Sequence, residues 1–344
     1  MPSASSLGDS DSAALRRVLG AHQSAQPSRA VLQLVSTFLP FLALLAAMYL
    51  TAHVSFWLTL ALAVPAAAFV VRIFILQHDC GHGALFGSKR VNDWVGRMCS
   101  LVTLTPYQHW RRQHAGHHAN WNNLDRRESG ADIYSSCLTT AEYHRLSRRK
   151  RAAYRIVRHP LIAHLLLPPL VFVLLYRLPF DTPGAWRSER RSVHATNLSL
   201  VTLFVVLGLC VGFGTMARVQ LPTITLAAIA GVWLFSVQHR FEAAAWLRRV
   251  DWTATAASLR GTSYLRLPQP LRWFTGDIGY HHVHHLNPRI PNYRLAKCHA
   301  GSATLRTVTT LGLRDGLRAP RCWLWDESRG RMVSFREAGR PAVR

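Results

Sequence analysis

Acidic side chains are scarce in this chain of 344 residues: 17 Asp and Glu stand against 41 Lys and Arg, a formal net charge of +24. Lysine is scarcer still, because Lys89, Lys150 and Lys297 are the only three and arginine supplies the rest. That Arg and Ala bias suits a GC-rich bacterial genome. The six cysteines, at 80, 99, 137, 210, 298 and 322, contain no Cys-x-x-Cys pair, which argues against a disulfide framework. Residues 1–28 lack a short apolar core followed by a small-residue cleavage site. A polar N-terminal tail, 1–30, is therefore expected to stay, with the first apolar run as an anchor. No nucleic-acid motif accompanies the basic charge. The arginines sit beside apolar runs, where anionic headgroups and the positive-inside rule place them, so no nucleic-acid partner is expected.

What the chain has is apolar length: it is 49% hydrophobic and only 17% charged. Residues 31–50, 54–76, 196–214 and 219–237 each approach the ~20 residues that cross a bilayer. Two further stretches are interrupted, 94–106 by Pro106 and 161–178 by Pro168-Pro169. The expected architecture is an all-α integral membrane protein with a single domain over 31–340. Four full crossings carry a cap made of 77–158 and 238–340, and 94–106 and 161–178 are re-entrant or interfacial. Densely basic residues 145–158, and Arg187, Arg190 and Arg191 after the proline pair, put both flanks of 161–178 on the cytoplasmic side. Four crossings then return every histidine cluster to that face.

Histidine is abundant, with 18 residues. Eight of them form three clusters: His78 and His82; His114, His117 and His118; and His281, His284 and His285. The spacings i, i+3 and i+4 put imidazoles on one helix face, with Cβ atoms about 5–6 Å apart. A ninth, His239, stands where the last apolar run ends, and ionisable residues at such positions are usually functional. One ion rarely takes more than about six ligands, so nine imidazoles predict about two metals; spacing alone does not choose among zinc, copper, iron and nickel. Carboxylates are almost absent from the clusters, against a carboxylate-bridged di-iron site. His282 points away from His281 on a helix and is expected behind the ligands or facing substrate, and His109 is expected to be structural. Asp79, Asp132, Glu242 and Asp277 are candidates to hold imidazole N–H groups.

HDCGHG (78–83), HAGHHANWNNLDRR (114–127), QHRFE (238–242), GTSYLRLPQPLRWFTGDIGYHHVHHLNPRIPNYRL (261–295) and LWDESRGRMVSF (324–335) resemble the membrane fatty acid desaturases, in their bacterial acyl-lipid branch. The likeness runs from about residue 30 to 340. It implies two iron ions held by the nine histidines, O2 as oxidant, and removal of two hydrogens from adjacent methylenes of a membrane lipid acyl chain, leaving a cis double bond. It also implies the bacterial inner membrane, a cytoplasmic active site, and an external ferredoxin- or flavodoxin-like donor, since the chain carries no haem-domain or flavin motif. Two departures stand out: Ala243, Ala244 and Ala245 follow the HRFE sequence where relatives carry acidic and aromatic residues, and Asp277 replaces a frequent Asn. Acyl or carotenoid hydroxylases and ketolases share the boxes. A non-catalytic metal transporter or sensor is disfavoured because the clusters lie past the apolar runs rather than at mid-membrane.

Overall fold

The computed structural model describes residues 8–127, 133–134 and 136–339. Helix α1 is Asp9–His22, α2 Pro27–Thr51, α3 Phe56–His82, α4 Lys89–Thr103 and α5 Tyr107–Asn120. Further along are α6 (Thr140–Arg145), α7 (Arg148–Val157), α8 (Leu167–Val173), α9 (Arg187–Val211) and α10 (Phe213–His239). Short helices α11 (Ala254–Gly261), α12 (Gln269–Phe274), α13 (His281–Leu286) and α14 (Asn292–Ala300) follow. Four of these, α2, α3, α9 and α10, are long and apolar enough to cross a membrane. Each coincides with one of the four expected runs.

Their burial differs, and that sets the plan. Half of the apolar window of α3 and 39% of that of α10 are buried, against 17% for α2 and 22% for α9. The inner pair is thus α3 and α10, which pack on each other while α2 and α9 flank them. Leu32, Leu39, Leu42, Val201, Val206 and Leu209 lie exposed on the outer helices, as lipid-facing side chains would. Pro40, Pro65 and Pro222 sit inside α2, α3 and α10, as membrane helices tolerate when neighbours serve the freed carbonyls.

Both inner helices outrun their hydrophobic stretches. The apolar run ends at residue 76, yet α3 continues to His82, because its polar residues meet protein rather than lipid: Gln77 accepts from Thr103 Oγ1 at 2.6 Å and donates to the Thr105 carbonyl at 3.3 Å. Ser55 caps its start, and Gly83, in the left-handed region at φ 69°, ends it where a side chain would strain the turn.

The two interrupted stretches take different forms. Of residues 94–106, 94–103 fall in α4, whose 15 residues span about 23 Å, short of the ~30 Å hydrocarbon core, and Pro106 precedes α5. It lies along α3 with Cys99 and Ser100 buried and Trp94 and Met98 exposed. Residues 161–178 form a π-helical turn, then α8, then a 3-10 turn, and together with α7 make a pair bent by 47°. Pro168 and Pro169 open α8 rather than break it, which suits prolines in a first turn.

The N-terminal stretch expected as a plain polar tail contains α1, which buries Leu15 and Leu19 and packs on α14. Among the described residues the cap is mostly helical with two small sheets. Leu138–Thr139 pairs in parallel with Leu324–Asp326, itself antiparallel to Arg331–Val333. Tyr264–Leu265 pairs in parallel with Thr310–Leu311.

Candidate metal centre

Four elements bring nine imidazoles together. His78 and His82 occupy the last turns of α3, and His239 is the final residue of α10. These three therefore lie within the ends of the long helices, although past their apolar runs. In α5, His114, His117 and His118 share one face, and Trp110, four residues before His114, stacks on it at 4.8 Å and 15°. Gly81 lets that indole approach, since a Cβ there would stand 2.8 Å from the Trp110 ring. The six-residue α13 carries His281, His284 and His285, and Val283 between them is fully buried.

The ring nitrogens converge. His78, His82, His114, His118 and His284 each offer a nitrogen, all within 4.8 Å of one another; His117, His239 and His285 form a second such group. His114 Nε2 stands 3.0 Å from that of His78 and 3.1 Å from that of His118, and His118 Nε2 is 2.9 Å from that of His284. In the second group, His239 Nε2 lies 2.9 Å from that of His117 and 3.0 Å from those of His285 and His281. His281 so joins the second group through His239.

Hydrogen bonding among the imidazoles does not account for this. His239 Nδ1 donates to the Phe235 carbonyl at 2.8 Å, so its Nε2 carries a lone pair in the neutral ring. Three other imidazole nitrogens face that one lone pair. Two nitrogens about 2.1 Å from one ion and at right angles to each other lie about 3 Å apart, which is the spacing observed. Burial holds His114, His117, His118, His281, His284 and His285 well below the ordinary imidazole range, and mutual repulsion among the rings adds to it. Neutral rings with bare nitrogens are metal donors. The donor set fits two cations bound by nitrogen alone.

Asp79 lies 3.6 Å from His78 Nδ1, but its Oδ2 accepts the Asn292 backbone N–H at 2.7 Å and the Asn292 side-chain amide at 2.9 Å. It ties α3 to the start of α14, just past the third histidine cluster. Glu242 does not serve an imidazole: it pairs with Arg331 at 2.9 Å on an exposed face. Nor does Asp277, which takes Arg272 Nε at 2.7 Å from a left-handed residue at φ 55°. That backbone region admits Asn and Asp more readily than most residues, so Asn fits the same position. His109 turns from the cluster to bond Asp181 at 3.1 Å, an acceptor it shares with Gln113. His282 is fully buried, meets His299 at 2.9 Å, and burial lowers it to about 3. Asp132 lies outside the described residues.

Trp110, Asn292 and Arg72 lie outside the three histidine clusters in sequence yet belong to their surroundings. The first had a usable signal, an aromatic residue at i−4 from His114. Arg72 also had one, as the lone charge in the run 54–76.

Beneath the imidazoles lies a cavity of about 590 Å³. His78, His114, His117 and His281 form part of its wall. Deeper lining comes from α3 (Val70, Val71, Phe74), α8 (Val171, Phe172) and α10 (Ala227, Gly231, Phe235). Arg112, Gln113 and Asp181 also line it. Its size falls within the ~300–1,000 Å³ of ligand pockets.

A family model described as fatty acid desaturase matches residues 55–307. A fatty acid desaturase of Bacillus subtilis (strain 168) is 41% identical over 94% of this chain and 90% of its own length. An sn-1 acyl-lipid omega-3 desaturase (ferredoxin) of Synechocystis is 26% identical over 65% of this chain and 62% of its own. An acyl-lipid omega-3 desaturase (cytochrome b5) of the endoplasmic reticulum of Arabidopsis thaliana is 28% identical, with 65% of this chain and 59% of that one covered.

Proposed function

This chain belongs to the fatty acid desaturase family, and on that footing we propose that it inserts a cis double bond into a lipid-linked acyl chain at a di-iron centre. Overall, the saturated –CH2–CH2– unit, O2, two electrons and two protons become –CH=CH– and two waters. The observation that carries this reading is a shared wall: four of the clustered histidines also line the apolar cavity.

The proposed ligands are His78, His82, His114, His118 and His284 for one iron, and His117, His239, His281 and His285 for the other. Two irons bound there would supply O2 activation beside the chain. The protein's own part is positioning. Val70, Phe74, Phe172, Ala227 and Phe235 offer an apolar slot that admits methylenes and disfavours water. Arg112 and Gln113, on the same cavity, suit the polar end of an acyl lipid. Asp79 and Asn292 hold the third cluster against the first, which fixes the distance between rings.

Electrons come from outside the chain in this reading. The +24 net charge suits an acidic ferredoxin- or flavodoxin-like donor, and the Synechocystis relative is named for ferredoxin. Arginine-rich flanks support a bacterial inner membrane with the site on the cytoplasmic side.

Elemental analysis of the purified chain tests the centre. About two irons per chain are expected, falling on His239→Ala, whose imidazole faces three others. Stoichiometric zinc with no bound iron, in protein produced with iron supplied, would refute it.

A further inference from the structure

Arg72 is the only charged residue in the run 54–76 and is 3% exposed. Its Nε donates to Thr37 Oγ1 at 2.9 Å and its Nη1 to the Trp273 carbonyl, while the guanidinium carbon lies 3.9 Å from the Trp273 ring centre. Nη2 makes no hydrogen bond among the described residues. A guanidinium this buried in a membrane helix needs a counter-charge or a full set of acceptors.

Beside it is a second cavity, about 350 Å³, walled by Arg29, Arg72, Arg272, Gln33, Tyr293 and Asp277 among others. Three guanidinium groups there face one carboxylate, and Asp277 is engaged by Arg272 at 2.7 Å. Arg72 and Asp79, seven residues apart, project from one flank of α3, about 100° from His78. This cavity is thus separate from the one beneath the histidines. Arg72 lies four residues before the end of that apolar run and ten before the end of α3, about 6 Å and about 15 Å along the axis, close to the boundary between apolar helix and polar cap. Leu32 (66%) and Trp273 (40%), both on its wall, stand exposed, an apolar rim with the Trp typical of a membrane interface.

We propose that this second cavity binds the phosphate of an anionic phospholipid, with its acyl tails lying along the exposed face of α2. Arginine forks match phosphate oxygens, and the exposed Leu and Trp rim faces the bilayer, which holds such phosphates at this depth. The site also reaches the metal cluster. Gln33, on the cavity wall, exchanges hydrogen bonds with Asn292 at 2.7 and 3.2 Å, and Asn292 binds Asp79, the neighbour of His78. A bound headgroup would brace α2, α3 and the segment that carries the third histidine cluster. The inference stands whether or not the chain desaturates lipids.

Native mass spectrometry of the delipidated, detergent-purified full chain tests it, with phosphatidylglycerol and phosphatidylcholine as probes. One phosphatidylglycerol should be retained, with roughly tenfold preference over phosphatidylcholine. Arg29→Gln with Arg272→Gln should abolish that preference, and Arg148→Gln with Arg151→Gln, on the basic α7, should leave it intact. Arg29→Gln alone, at an exposed side chain, should weaken retention several-fold and keeps the test valid if the double variant misfolds. Equal retention of the two lipids, indifference to Arg29→Gln, or occupancy by inorganic phosphate in place of the lipid would each overturn the proposal.

Discussion

Asp79 was legible as an acidic neighbour of the first histidine pair, but its principal partner was not. Its carboxylate accepts two hydrogen bonds from Asn292, 213 positions away, and no local spacing encodes such a contact. Both residues are buried, so Asp79→Ala leaves two donors without an acceptor. The expected cost is about 2–3 kcal/mol of stability. Thermal melting should drop and metal content should fall with it, because α13 and α14 would lose their tether to α3. Unchanged melting would show that Asn292 finds another acceptor at no cost. Glu242 and Asp277 teach the complementary lesson. A carboxylate near a histidine box in sequence is as readily taken by an arginine, and this chain has many arginines.

Hydropathy marked the four long helices because lipid-facing side chains must be apolar on every exposed turn. It did not mark their ends. Helices α3 and α10 carry polar residues beyond their apolar runs, where protein replaces lipid as their surroundings, so His78, His82 and His239 ride on rigid helices rather than on loops. The two- and three-residue ribbons were invisible for another reason: so short a strand has no period to detect. Along α10, Gly231 lines the main cavity, and a Cβ added there meets nothing within 4 Å. Gly231→Leu should thus fold normally, with helix propensity improved by a few tenths of a kcal/mol or more. It should also shorten the space for an acyl chain. The expected result is lost activity on long chains or a moved double bond, read by mass spectrometry of derivatised fatty acids. An unaltered product pattern would place the acyl chain elsewhere.

At the scale of the whole molecule, the histidines converge only if the ends of α3 and α10 lie on one side of the bilayer, and four crossings satisfy that. The bent pair of α7 with residues 162–177 must then enter and leave on the same side. Gly184, exposed in the following loop with open space around its Cα, provides the check. With the exposed native Cys210 changed to serine, Gly184→Cys should react with a membrane-impermeant thiol reagent in inside-out vesicles and stay unlabelled in intact cells. Labelling from outside would demand a fifth crossing. The sequence made the number of long helices and the nine clustered imidazoles readable, because hydropathy and ligand spacing are local patterns. The two cavities were not readable, because each is walled by side chains from helices far apart in the chain.

The central claim is that these imidazoles and the apolar cavity beneath them act together on an acyl chain. The most direct test is the fatty-acid profile, by gas chromatography–mass spectrometry, of a bacterial host that supplies ferredoxin and expresses this chain, set beside His117→Ala. The account predicts new unsaturated chains with the intact protein and none with the variant, since His117 belongs to both the metal cluster and the cavity wall. Hydroxylated chains, or no new species from folded, iron-loaded protein, would contradict it.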